Sequence, residues 1–238
     1  MRFSIAIPAL TVTSNRAWSA IIERMARTGY DGVQIDVPDV PDVQTFREMA
    51  RRLSQFGLVA TVNGDHNEFE SERHVSSLLD GCALLDAHVL TGPFSLDGVG
   101  LDFLALERLS EQAAEMGVVI ALSGRGASGG TAKILRRLES VGSAVGISYD
   151  TNQAHTTESS VSSAILSAGA RLRHVLIADN DGALPGAGQV RWAETFASLA
   201  AIRYAGWYVV DVKPGETNEQ VAGPGLELLR RNIVPLVP

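Results

Sequence analysis

Short, almost wholly apolar runs alternate along the chain with longer stretches whose apolar residues recur every three or four positions. Eight such runs stand out, at 3–7, 32–37, 59–63, 87–91, 118–123, 145–150, 174–179 and 207–212. A continuous apolar run of this length, bounded by polar or turn residues, predicts a parallel strand covered on both faces. Between the runs, Trp18, Ile21, Ile22, Met25 and Ala26 repeat at helical spacing, as do Leu101, Leu104, Leu106 and Leu109. Further helical patterns cover 43–56, 71–85, 131–141, 158–168, 191–203 and 224–232. Gly29, Gly57, Gly117, Gly142, Gly169 and Gly206 each stand shortly before a strand, where glycine closes a helix in the left-handed conformation. Eight strands, each followed by a helix, predict an α/β fold: one closed, eight-stranded parallel (β/α)8 barrel occupying 1–238 as a single domain. The rival, a doubly wound open sheet, would carry fewer strands and a glycine-rich phosphate loop. The small-residue stretch 124–130 lacks the lysine and the spacing of such a loop.

Composition narrows the class. The 238 residues are 45% hydrophobic with a net charge of −7. No basic stripe is present, so no nucleic-acid partner is expected. No apolar run approaches the roughly 18 residues of a membrane span, so no membrane partner is expected either. The first residues, Met1 to Pro8, lack the apolar core and cleavage site of a secretory signal. The single cysteine, Cys82, cannot form an internal disulfide and reads as a small buried hydrophobe, which fits a reducing, cytoplasmic setting.

In a barrel of this kind chemistry gathers where strands end and the following loops begin. Asp150 ends the sixth predicted strand and reads as a general base, a ligand or a helix cap. Asp211, near the end of the eighth, is its counterpart, and two nearby carboxylates can push one pKa upward for acid/base work. His66, after the third strand, is the best-placed imidazole for moving protons. Arg125 follows the fifth strand and could clamp an anion. Lys213, two residues past Asp211, could anchor substrate. His174 opens a strand and reads as structural, and Trp192 and Trp207 read as packing residues.

Six segments, in order along nearly the whole chain, resemble the sugar-phosphate isomerase/epimerase superfamily, the xylose isomerase-like TIM barrels. They are Gly29-Tyr-Asp-Gly-Val-Gln-Ile-Asp36, Ala113-Ala-Glu-Met-Gly-Val-Val-Ile-Ala-Leu122, Val145-Gly-Ile-Ser-Tyr-Asp-Thr-Asn152, His174-Val-Leu-Ile-Ala-Asp179, Leu184-Pro-Gly-Ala-Gly-Gln-Val-Arg-Trp192 and Tyr204-Ala-Gly-Trp-Tyr-Val-Val-Asp211. Metal-dependent members of that superfamily hold a divalent ion with Glu, Asp, His and Glu from strands five to eight. The matching positions here are Ser123, Asp150, Leu176 and Asp211. The resemblance implies substrate contacts at Asp36, Ser123, Gln153 (where relatives place a His) and Asp179, beside Arg125 and Lys213. With a leucine and a serine among the four ligand positions, no metal site is assigned and no cofactor is expected, a weakly held Mn or Mg ion being left open.

The resemblance therefore implies an isomerase or epimerase, with a lyase as second choice, acting on a sugar, polyol or related hydroxy-carbonyl compound. Proton transfer would run between Asp150 and Asp211, with His66 assisting, and the partner is a small-molecule substrate. The alternative is a catalytically silent barrel that binds a ligand or a partner protein. A phosphodiester-cutting relative would need a dense cluster of His, Asp and Glu ligands, which this chain of five histidines does not offer. Barrels of this group often pair, so a homodimer is compatible with the reading.

Overall fold

Each strand places large apolar side chains and small or polar ones on opposite faces, and that alternation decides what lies outside and inside the sheet. A computed structural model of the chain describes residues 2–8, 15–37, 43–64, 69, 71–94, 101–124, 130–180, 183–211 and 218–233. Its strands are β1 (Arg2–Pro8), β2 (Gly32–Val37), β3 (Val59–Gly64), β4 (Val89–Pro93), β5 (Val119–Ser123), β6 (Val145–Asp150), β7 (Leu172–Ile177) and β8 (Trp207–Val210). Each pairs in parallel with the next, and β1 pairs with β8, so the sheet closes into a barrel in sequence order. The described helices are α1 (Asn15–Thr28), α2 (Val43–Gln55), α3 (Glu72–Leu85), α4 (Phe103–Glu115), α5 (Gly130–Arg137), α6 (Thr151–Thr157), α7 (Val161–Ala168), α8 (Trp192–Ala201) and α9 (Asn218–Ile233).

Two cores result. Ile5, Val33, Ile35, Val62, Leu90, Ile120, Leu122, Val175 and Val210 point outward and pack with helix residues such as Ile22, Leu78, Leu109 and Leu229 into one large cluster. Ala6, Val89, Ala121, Trp207 and Val209, with Val59 and Leu176, form a separate, smaller cluster inside the barrel. The interior is not the wholly apolar filling that the strand runs imply. Ser4, Gln34, Thr61, Thr91, Ser148 and His174 are all buried, and they share the inward parity of the smaller cluster. The barrel therefore carries a polar belt at mid-height, beneath its C-terminal rim.

Four of the six predicted helix-closing glycines, Gly29, Gly57, Gly117 and Gly169, have positive φ. After α8 the left-handed residue is Arg203 instead (φ 53°). Cys82 is buried, and burial pushes its thiol up to about 12, as suits an inert core residue.

Arg171 ties α5 to the barrel. Its guanidinium donates to the carbonyl oxygens of Gly142 (2.8 Å), Val145 (2.8 Å), Leu138 (3.2 Å) and Val141 (2.8 Å). These carbonyls follow the end of α5 and enter β6; those of Leu138 and Gly142 also accept from the N–H groups of Val141 (3.2 Å) and Val145 (3.3 Å), and Arg171 bridges all four. Arg171→Ala is expected to lower stability by about 2–3 kcal/mol, read as a shift in the urea midpoint at unchanged slope.

Candidate active site at the C-terminal rim

Ser123 and Asp150 are the last residues of β5 and β6, Leu176 is the penultimate residue of β7, and Asp211 follows β8 directly. Strand alternation turns Ser123, Asp150 and Leu176 toward the lumen, since their neighbours Leu122, Tyr149, Val175 and Ile177 belong to the outer core. Asp211 has the same parity, its N–H donating to the Ile177 carbonyl (3.0 Å). The four positions thus line one side of a single rim.

Their chemistry differs from residue to residue. The Ser123 hydroxyl donates to the Gly92 carbonyl (3.2 Å). Leu176 packs in the inner apolar cluster. Asp150 is level with Leu176, and Leu176 with Val209, so β7 lies between the two carboxylate-bearing strands. Asp211 stands two residues beyond Val209, so two strand spacings and that offset put the Asp150 and Asp211 backbones about 12 Å apart. That is a gap a substrate could bridge, and wider than the contact needed for strong direct coupling of two carboxylates. Among the described residues no group of three or more His, Cys, Asp or Glu could hold a metal ion. A hydroxyl already donating elsewhere, a hydrocarbon and two carboxylates from non-adjacent strands do not fit a hard divalent cation.

Asp150 also has a structural task. It is the N-cap of α6, with its Oδ1 accepting from the Gln153 N–H (3.0 Å). This is the helix-cap reading that the sequence offered for Asp150 beside its chemical ones. Gln153 donates its side-chain amide to the Gly124 carbonyl, which fastens α6 to the end of β5. On the other side of the rim Asp36 is in register with Pro8 and Asn63. Asn63 accepts a hydrogen bond from the Thr91 hydroxyl (2.7 Å), which joins two polar residues at the ends of neighbouring strands.

Asp179 requires a correction. Expected to meet substrate, it is 1% exposed, and its carboxylate is the organising centre of the loop between β7 and α8. Oδ1 accepts from the N–H groups of Asn180 (3.0 Å) and Val190 (3.2 Å). Oδ2 accepts from Gly186 (2.9 Å), Gly188 (3.0 Å) and the Trp192 indole (3.1 Å). Five donors fill the lone pairs a carboxylate can offer. Burial pushes this carboxyl up, but the hydrogen bonds from Gly188, Asn180, Val190 and Trp192 outweigh it and hold the group below its ordinary value. The glycines follow from this. Gly186 has φ +90°, and a Cβ on Gly188 would collide with the side-chain oxygens of Asp179 and Asn180.

One layer below the rim, Ser148 Oγ lies 2.8 Å from His174 Nδ1, two residues down β6 from Asp150 and two down β7 from Leu176. His174 was expected at the far end of the barrel. It is instead the third residue of β7, because that strand starts at Leu172. Burial pushes its imidazole down to about 3, so it is neutral near pH 7. The unfolded chain takes up this proton near 6.5 while the folded one resists it, so the stabilisation is complete above 6.5 and is lost as pH falls toward 3. The slope is up to about 1.4 kcal/mol per pH unit. Urea titrations between pH 7 and 4 should show this slope, and His174→Gln should flatten it.

His66, Arg125 and Lys213 lie outside the described residues, and so does the side chain of Asp36. Among the described residues, no helix is long and apolar enough to cross a membrane.

Fold and rim together define a closed parallel β/α barrel with its polar groups gathered at the strand C-termini. Residues 22–232 match the family model described as xylose isomerase-like TIM barrel, and the chain belongs to that family. Among solved structures it is similar to the D-allulose 3-epimerase of Methylomonas sp. in complex with D-allulose, at TM-score 0.80 and 21% identity, covering 98% of this chain and 97% of that one. It is also similar to an L-ribulose 3-epimerase, at TM-score 0.82 and 16% identity over 98% and 95% of the two chains. A third is the IOLI protein with a bound zinc atom, at TM-score 0.73 and 15% identity over 100% and 98%. No curated protein matches the sequence.

Proposed function

We propose that this chain is an isomerase or epimerase of a sugar, polyol or related hydroxy-carbonyl compound. It works by proton transfer between Asp150 and Asp211, without a tightly held divalent ion. The observation that carries the reading is the pair of carboxylates at the ends of β6 and β8, on one rim and separated by the apolar Leu176. Support for the substrate class comes from the relatives in this fold whose substrates are ketoses: the D-allulose 3-epimerase and the L-ribulose 3-epimerase.

In this mechanism Asp150, oriented by its cap to α6, removes the proton from the carbon beside the substrate carbonyl. Asp211, which enters the cycle protonated, returns a proton at the other end of the resulting enediol or on its opposite face, and proton exchange with solvent restores both groups. The developing oxyanion needs a partner. Arg125 and Lys213, close in sequence to the ends of β5 and β8, supply the positive charge that a metal would otherwise bring. Ser123, Gln153 and Asp36 face hydroxyl groups of the bound substrate, and His66 exchanges protons with solvent.

The test is solvent-deuterium incorporation, followed by NMR, across a panel of aldoses, ketoses and hydroxy-keto acids, with and without a chelator. Exchange at a carbon next to a carbonyl, undiminished by the chelator, is expected for at least one compound. The engagement of Gln153 with Gly124 and of Asp150 with Gln153 favours one second reading, a barrel that binds such compounds without turnover. Saturable binding with no exchange anywhere in the panel would establish it in place of the first.

A further inference from the structure

The opposite end of the barrel carries a second candidate site. Around the N-terminal ends of β1, β4, β5, β7 and β8 lies an open cavity of about 560 Å³. That volume is within the range of small-molecule sites. Three arginines, Arg2, Arg173 and Arg203, line it together with His88, and no carboxylate is among its lining residues. In a chain of net charge −7 this is a local reversal of sign.

Among the described residues these arginines make no ion pair. Arg2 lies over the Trp207 ring, 5.4 Å from its centroid, and is held by the ring face. Arg173 donates through Nη2 to the Ser143 carbonyl (3.1 Å), and its buried Nε has no hydrogen-bond partner. Arg203 occupies the left-handed position after α8, where glycine or asparagine would sit with less strain. The nearby Asp31 carboxylate accepts from the Phe3 N–H (2.8 Å) and does not line the cavity. Two of the walls, Gly117 and Gly169, face open space where a Cβ would meet nothing within 4 Å.

We propose that this cavity binds a phosphorylated small molecule, at a site separate from the C-terminal rim. Guanidinium groups offer paired, planar donors that match phosphate oxygens, and several of them converging favour a multiply charged group over a single carboxylate. Ala170, Ile202 and Ala205, also in the cavity wall and not buried, supply an apolar surface for the remainder of the ligand.

Calorimetric titration with inorganic pyrophosphate at low ionic strength tests this. Saturable one-to-one binding is expected, weakening as salt is raised. The double variant Arg2→Gln/Arg203→Asn, both exposed positions, should raise the Kd at least about tenfold at unchanged melting temperature, the loss of one charge-assisted contact or more. Asp150→Asn should leave binding unchanged, so failure of the catalytic reading leaves this result intact. No saturable binding, an unchanged Kd in the double variant, or equal affinity for succinate would overturn the proposal.

Discussion

Asp150→Asn should lower turnover by about a hundred- to ten-thousandfold while the protein folds and melts as the parent does. The two halves of this expectation come from two functions of one carboxylate. As a cap, Asp150 offers Oδ1 to the Gln153 N–H, and asparagine presents an equivalent carbonyl oxygen at the same place. Asn and Asp are nearly equal N-caps, so little stability is lost. As a base, asparagine cannot take a proton, and a positioned general base contributes about 10²- to 10⁴-fold to a rate. The measurement is the exchange rate of whichever compound the panel identifies, taken with a thermal melt. A variant that melts normally and still exchanges at the parent rate removes Asp150 from the chemistry. Asp211→Asn should show a similar loss in the same assay.

The second large effect is structural. Asp179→Ala is expected to cost about 3–5 kcal/mol, because it strands five donors in a site that is 1% exposed. Asp179→Asn should cost less but still clearly destabilise, since its amide nitrogen would face N–H groups that need an acceptor. The carboxyl lies below its ordinary value of 3.8 in the folded chain, so its contribution is complete above that value and is lost as pH falls through the lower folded value. This acid window opens at 3.8, near the lower end of the one set by His174, which runs from 6.5 to about 3. Asp179→Asn should remove the lower limb of the acid-unfolding curve and leave the His174 slope. An Asp179→Ala protein as stable as its parent would contradict the picture of a loop folded around this carboxylate.

The barrel was legible because strand-length apolar runs and helical spacing report burial directly. The bounds of β2 and β6 agree with the sequence reading, at Gly32–Val37 and Val145–Asp150. Agreement fails where a polar residue does two things at once. The run 174–179 seemed to end in a strand-terminal carboxylate, but Ala178 and Asp179 leave the sheet so that Asp179 can gather its loop, and β7 begins earlier at Leu172. The stretch after β6 holds two helices, α6 and α7, where one was expected over 158–168. The capping sequence at Asp150 starts a helix at once, and Ser160 starts the next. Inside the barrel, Ser4, Gln34, Thr61, Ser148 and His174 are single polar residues in apolar runs. Only the closed sheet shows that they meet in one belt. Period-two counting from Asp150 would have placed Ser148 beneath it. The Ser148–His174 contact also depends on the register of β6 against β7, which is irregular between Ile147 and Ser148.

In the mechanism proposed here, Ser123, Asp150, Leu176 and Asp211 form a rim that transfers protons without gripping a divalent cation. Titration of the metal-free protein with Mn(II), read by calorimetry, tests it most directly. Heats too weak to saturate below about 1 mM, corresponding to less than about 4 kcal/mol of binding, are the expected result. One equivalent bound at micromolar concentration, and released by Asp150→Asn, would contradict it.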